Sequence, residues 1–294
     1  MEKAARLRDG GAPAPGAAPQ SKPLTQPSQP SPYPTSSAPT YAAPVSPQYG
    51  RLAPVSSFLV SLHDPHSPTA EEYRKLKSVL VKLTTGEKFK NCLMVTSSVP
   101  SEGKSLTAIN LAISLAQEFD HTVLLVDADL RRPSVHQYLN VEQGVGLSEV
   151  LSGEAQLGET IIPTGIGKLS IIRGGRSVSN PAELFSSQHA RSVINELKHR
   201  YPDRYIIFDT PPVLPFAESR SLAHLMDGVL FVVMERLTSQ SNIKDAMDSL
   251  KGCPILGVVY NAAQVDQNDG RYSHYAYKAA ADGKLQHKTG TPAE

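Results

Sequence analysis

Almost nothing in this sequence of 294 residues points toward a membrane or an oxidising compartment. No apolar run approaches the ~20 residues that cross a bilayer, and the longest, VLFVVM and YIIF, have the length of strands. The first residues, MEKAARLRDGGAPAP, lack the apolar core of a secretion signal. Cysteine is scarce: Cys92 and Cys253 both stand at the edges of apolar runs and read as buried free thiols rather than a disulfide. The formal net charge of +1 excludes a whole-protein field for nucleic acid or an anionic membrane surface. The expectation is a cytoplasmic protein with no nucleic-acid partner. Branched aliphatics are nearly absent before Val55, where proline crowds the chain instead. Such a stretch buries too little apolar surface to offset its ordering entropy. Residues 1–54 therefore read as a disordered, Pro-rich arm, residues 55–264 as the folded domain, and residues 265–294 as a flexible polar tail.

What is present is a regular alternation. TAEEYRKLKSVLVKL, residues 69–83, has a Thr cap, early acidic residues, and Leu76, Val79, Leu80 and Leu83 at helical spacing. Beyond it the runs CLMVTS, TVLLVDAD, LSIIRGG, YIIFDTPP, GVLFVVM and ILGVVYN recur with helical patterns between them. Several are nearly continuous in Val, Ile and Leu, as in strands buried on both faces. Strands alternating with helices imply an α/β fold, a doubly wound and mostly parallel sheet. Such sheets bind ligands outside the carboxyl ends of their strands, which singles out Ser98, Asp127, Asp209 and Asn261.

The stretch VTSSVPSEGKSLTAINLA, residues 95–112, passes from a strand through a tight turn into a helix. That context suits a phosphate-binding loop, because the helix begins where backbone N–H groups point at an anion. Against the pattern G-x-x-x-x-G-K-[ST], Ser98 replaces the first glycine, while Gly103, Lys104 and Ser105 match. Ser98, Pro100, Ser101, Glu102, Gly103, Lys104, Ser105 and Leu106 form the candidate nucleotide-binding segment, with Asn261 added from a later strand end. Lys104 is suited to neutralise phosphate and Ser105 to offer its hydroxyl to magnesium. Two further runs end in acid: Asp127-Ala-Asp129, followed by Leu-Arg-Arg-Pro, and Asp209 in IIFDTPP. A carboxylate at the end of a buried strand is costly unless a positive charge meets it, and Mg2+ meets that need, with Asp209 and Ser105 as natural ligands.

At these residues the chain resembles the bacterial tyrosine kinases of capsule and exopolysaccharide synthesis. SSVPSEGKS corresponds to their deviant Walker A segment, VLLVDADLRRP to Walker A-prime and IIFDTPP to Walker B, over about residues 67–261. GVGLSEVLSG and NPAELFSS look like further segments of that family. The resemblance implies a P-loop NTPase fold of the kind shared with partition and septum-positioning ATPases, with ATP and Mg2+ bound and tyrosine phosphorylated. It gives Lys104, Asp127, Asp129 and Asp209 catalytic roles and Ser105, Asp127 and Asp209 the metal, leaving open which of Asp127 and Asp129 is the base. The tail cluster Tyr272, Tyr275 and Tyr277 resembles the autophosphorylation cluster of those kinases, which receives phosphate from a neighbouring subunit. Tyr33, Tyr41 and Tyr49 in the arm have no special geometry.

EEYRKLK resembles the E-x-x-R-x-x-R element that knits such kinases into ring-like homo-oligomers. Glu71 and Arg74 match, whereas Lys77 replaces an arginine and loses its bidentate fork. The implied partner is a membrane polysaccharide copolymerase that activates the kinase at the inner face of the plasma membrane. Two rivals stand beside this reading. A partition or septum-positioning ATPase carries a lysine where this chain has Val99, and a nucleotide sensor without catalysis needs fewer carboxylates near phosphate. The chain also has no H-R-D segment of the eukaryotic-type kinases.

Overall fold

Runs of Val, Ile and Leu have no water to bond their backbones once buried, so they pair side by side and give the sheet. The computed structural model describes residues 52–264 except 55, 119, 201 and 202. In chain order the elements are α1 (Val60–His63), α2 (Pro68–Thr84), β1 (Cys92–Ser97), α3 (Lys104–Ala116) and β2 (Thr122–Asp127). Next come α4 (Val135–Tyr138), α5 (Leu147–Leu151), a 3-10 turn at Leu157–Thr160, β3 (Ile161–Pro163) and β4 (Leu169–Ile172). The chain continues through α6 (Pro181–Ser186), α7 (Gln188–Arg200), β5 (Arg204–Asp209), α8 (Ala217–Ala223), β6 (Gly228–Met234), α9 (Gln240–Ser249) and β7 (Ile255–Asn261).

The strands lie in the order β3-β4-β2-β5-β1-β6-β7, and every neighbouring pair is parallel except β3 with β4. Alternate residues of each strand face opposite sides. Leu93, Val95, Leu125, Ile207 and Val232 pack against α3 on one face. Met94, Val126, Ile206, Phe208 and Phe231 pack on the other face with residues of α5, α7 and α8. The fold is the doubly wound, mostly parallel sheet that the runs predict. The sequence pattern missed only β3, whose three residues are too short to show a period.

Several local expectations are corrected. Ser67, not Thr69, caps α2: its hydroxyl accepts from the Ala70 N–H at 3.2 Å, because Pro68 takes the first helical position. The inward stripe of α2 runs through Ala70 and Leu80 to Thr84, so Leu76 is only partly buried while Val79 and Leu83 face outward. Cys92 is buried, but Cys253 is only half-buried, its thiol 3.6 Å from His224 Nδ1. Leu52, Ala53 and Pro54, assigned by composition to the arm, belong to the folded unit. Pro54 is buried, and the Leu52 N–H donates to the Thr164 carbonyl at 3.0 Å. The rest of the arm, the tail and the tyrosines in both lie outside the described residues.

Candidate active site

The register of the sheet builds the site. Asp127 and Asp209 stand opposite each other at the ends of β2 and β5, and β5 adjoins β1, which runs into the loop at residues 98–103. The loop turns into α3 at Gly103, whose φ of +86° lies in the left-handed region. A Cβ there would meet Asn261 Nδ2 at 2.0 Å, and Asn261 Nδ2 in turn donates to the Glu102 carbonyl at 2.9 Å. The end of β7 thus holds the loop at Glu102, beside a glycine whose φ strains any other residue. No side chain caps α3, so the first N–H groups of this 13-residue helix remain for an anion.

Glu102 acts inside the loop. It is fully buried, its Oε2 accepting from the Val99 N–H at 2.6 Å and its Oε1 from the Thr238 hydroxyl. This carboxylate braces the loop against the turn after β6, with both oxygens taken up by those bonds. Ser98 is buried, and its carbonyl accepts from the Leu214 N–H at 3.2 Å. Pro100 and Ser101 are exposed, with Ser101 at φ +70°. The Leu106 side chain packs against the core, which limits its part in any phosphate site to its backbone.

Lys104 is the centre of the charge arrangement. Its Nζ lies 3.1 Å from Asp129 Oδ2, 3.8 Å from Asp209 Oδ1 and 3.1 Å from Ser105 Oγ. Burial works to lower the lysine pKa, but Asp209 and Asp129 outweigh it and the value is raised. The three aspartates differ in what they touch. Asp127 is saturated by backbone: Oδ2 accepts from the Ser134 and Val135 N–H groups at 2.8 and 3.0 Å, and Oδ1 from the Asp129 N–H at 3.3 Å. Burial, then the charge of Asp209, pushes its pKa up to about 8 against those N–H donors. Asp129 meets Lys104 with one oxygen and the Arg132 N–H with the other. Asp209 is fully buried; neither oxygen makes a hydrogen bond of normal length and angle, and the donors nearest it are Lys104 Nζ, 3.8 Å from Oδ1, and the Ser105 hydroxyl. Burial raises its pKa while Lys104 opposes the rise.

Two orphaned carboxylate oxygens beside a lysine and a serine hydroxyl fit a hard divalent cation carried with phosphate, since oxygen donors and charge are what magnesium takes. One of the two segments with no assigned role in the sequence acquires one. Gly146 packs against the Arg173 carbonyl, and the Leu147 and Ser148 N–H groups donate to the Arg173 and Gly174 carbonyls at 2.7 and 3.0 Å. Gly174 lies against Pro133 and Asp127, so GVGLSEVLSG fixes the wall behind the aspartates.

Residues 88–293 match the ParA family, described as NUBPL iron-transfer P-loop NTPase. Tyrosine-protein kinase YwqD of Bacillus subtilis is 32% identical over 230 residues, covering 78% of this chain and 94% of its own. The chain belongs to the bacterial P-loop tyrosine kinases of ParA type. The kinase also superposes on the kinase domain of the Escherichia coli tyrosine kinase ETK with a TM-score of 0.64 at 28% identity, over 72% of this chain and 84% of that one. It is 32% identical to the succinoglycan biosynthesis transport protein ExoP of Rhizobium meliloti over 72% of its length, but spans only 27% of ExoP. As a P-loop NTPase the kinase binds nucleotide with magnesium.

The residues proposed for oligomer contact are already engaged within the kinase. Arg74 pairs with Glu71 at 2.5 Å, one turn away on α2. Lys77 bonds Glu118 at 2.6 Å and is largely buried. Lys77 therefore ties α2 to the end of α3, while Glu71 and Arg74 stay half-exposed. Sequence reasoning missed the bracing roles of Glu102, Thr238 and Asn261 because their contacts join residues far apart in the chain.

Proposed function

We propose that the chain is an ATP-dependent protein-tyrosine autokinase that regulates the polymerisation and export of a capsular or extracellular polysaccharide. The observation that carries this reading is Lys104 held between Asp129 and Asp209 at the open start of α3. Magnesium, when bound with ATP, draws charge from the transferring phosphate and supplies electrostatic stabilisation that no side chain matches. Asp209 and Ser105 hold that ion, and Asp127 fixes the geometry around it because its oxygens are occupied by backbone donors. Lys104 leaves Asp129 for phosphate when nucleotide binds, freeing the Asp129 carboxylate. Asp129, rather than Asp127, then takes the phenolic proton as the tyrosine oxygen bonds to the γ phosphorus and ADP departs.

Phosphate goes to Tyr272, Tyr275 and Tyr277 of the tail in a neighbouring subunit of a ring-like homo-oligomer, to which Glu71, Arg74 and Lys77 contribute. Among the described residues no helix is long and apolar enough to cross a membrane. A membrane polysaccharide copolymerase recruits and activates the kinase at the inner face of the plasma membrane. Purified chain with labelled ATP and magnesium is expected to gain phosphotyrosine, and Lys104→Met to lose it while keeping its circular-dichroism spectrum. Wild-type phosphotyrosine in Lys104→Met overturns the assignment. Asp129→Asn is expected to lower transfer far more than nucleotide affinity, and normal transfer removes Asp129 as base.

A further inference from the structure

Asp129 lies two residues beyond the end of β2, on a turn rather than on the sheet. The contact that holds its side chain toward the phosphate loop is Lys104 Nζ at 3.1 Å, and nucleotide draws that lysine away. The turn itself is fixed from the other side. The Val178 N–H donates to the Leu130 carbonyl and the Ser177 hydroxyl to the Arg131 carbonyl, both at 3.0 Å. The Arg131 side chain then leaves the turn for the first turn of α8. Its Nε donates to Glu218 Oε1 at 2.5 Å and its Nη2 to Oε2 at 3.4 Å, with the guanidinium 4.7 Å from the centre of the Phe216 ring.

Glu218 is fully buried, and both of its oxygens face Arg131. A buried carboxylate is costly without its partner, so Arg131 is held to one place. The start of α8 is in turn bound to the phosphate loop. The Thr96 and Ser219 hydroxyls both donate to the Pro211 carbonyl, at 2.9 and 2.7 Å. The Val213 and Leu214 N–H groups donate to the Ser97 and Ser98 carbonyls at 2.9 and 3.2 Å. Hydrogen bonds and residues 211–218 thus connect the beginning of the loop, through Glu218 and Arg131, with the turn that carries Asp129.

We propose that Glu218 is a positioning residue: through Arg131 it keeps the Asp129 carboxylate within reach of the tyrosine proton after Lys104 has turned to phosphate. Proton transfer needs hydrogen-bond reach, and a displacement of about 1 Å costs up to about 100-fold in rate. Glu218 acts on the turn and not on the reacting atoms. This inference rests on the kinase reading, with Asp129 as base.

The test uses the full-length protein and three readouts: the phosphotyrosine rate at saturating ATP and magnesium, the affinity for ADP with magnesium, and the melting temperature. Glu218→Leu removes the clamp and leaves Arg131, whose side chain is 31% exposed, free to turn to water. Its transfer rate should fall about tenfold with nucleotide affinity unchanged. Glu218→Gln, which keeps the length and an acceptor oxygen, should retain more of the rate. Arg131→Met strands the buried carboxylate and should lower the melting temperature, and adding Glu218→Leu should restore it. The restored double variant should still transfer phosphate slowly. A rate that recovers together with the melting temperature overturns positioning, because stability alone would then account for the loss. Parental transfer in Glu218→Leu overturns it as well, and so does a loss of nucleotide affinity in Glu218→Leu equal to its loss of rate. Should the double variant fail to fold, Glu218→Leu decides. A parent that forms no phosphotyrosine overturns the kinase reading and this inference with it, whereas an active parent with an equally active Glu218→Leu overturns only the inference.

Discussion

Asp209 has two buried oxygens with no hydrogen bond of normal geometry and only Lys104 and Ser105 beside them, an arrangement suited to a bound ion. It faces Asp127 across adjacent strands, and both carboxyls are pushed above their ordinary range, chiefly by burial. The unfolded chain releases these protons near pH ~4, whereas the folded chain holds them up to about 8 at Asp127. Within that window the folded state carries more protons, so stability falls as pH rises. Lys104, whose pKa is raised, stays charged throughout. Nucleotide-free protein should therefore melt at a lower temperature at pH 8.5 than at pH 6. Asp209→Asn should flatten that dependence, raise the melting temperature at pH 8.5 and abolish stabilisation by magnesium with ADP. Differential scanning calorimetry decides it; a mutant less stable than the parent at pH 8.5 would show that Asp209 is satisfied without a metal. At this scale the sequence already marked Lys104, Asp129 and Asp209 by their places in motifs. It gave no sign that Asp127 is saturated by Ser134 and Val135, since those bonds depend on how the chain turns after β2.

The loop and α3 act as one element, anchored where Gly103 lies against Asn261. Gly103→Ala forces a side chain into the left-handed region and into the Asn261 amide, and should cost more than about 1 kcal/mol. Adding Asn261→Ala removes the collision but not the backbone strain, so the double variant should recover only part of that loss in urea melts. Full recovery would mean that the collision, not φ +86°, makes glycine necessary. Glu102→Ala should weaken nucleotide binding without touching phosphate, because Val99 and Thr238 lose their shared acceptor. Isothermal titration with ADP and magnesium measures it, and unchanged affinity would reduce Glu102 to a packing residue. Helical periodicity located α2 to within a residue at each end, yet misread its inward face. Leu76, Val79, Leu80 and Leu83 share a helical stripe, and only packing against α3 decides that Leu80 goes in while Val79 stays out.

For the whole molecule the tail is the proposed acceptor and, on the same proposal, a switch. Each phosphotyrosine brings about −1.5 to −2 charges, and three within one short segment meet a site already lined by Asp127, Asp129 and Asp209. The modified tail should leave the neighbour, and the oligomer should loosen. Light scattering after size exclusion is expected to show smaller species once ATP and magnesium are added to the parent. The variant with all three tail tyrosines changed to Phe should keep its larger assembly and lose most phosphotyrosine. Retention of most phosphate in that variant would move the acceptors elsewhere, with Tyr33, Tyr41 and Tyr49 next to test.

The sequence by itself determined the fold class, because six apolar runs of strand length alternating with helical patterns admit few arrangements besides a doubly wound sheet. It also determined the chemistry of the loop, because phosphate binding there needs Gly103, Lys104 and Ser105 as chain neighbours, and neighbours are legible in a sequence. Tertiary structure alone decided which aspartate is orphaned and which is saturated, that Lys77 serves Glu118, and that Glu102 and Asn261 brace the loop. Each of these depends on partners more than twenty residues away, on different strands or helices, or on the turn of a loop after its strand. Local pattern reports the period and the neighbours of a residue; only the folded chain sets the distance between charges that the sequence keeps far apart.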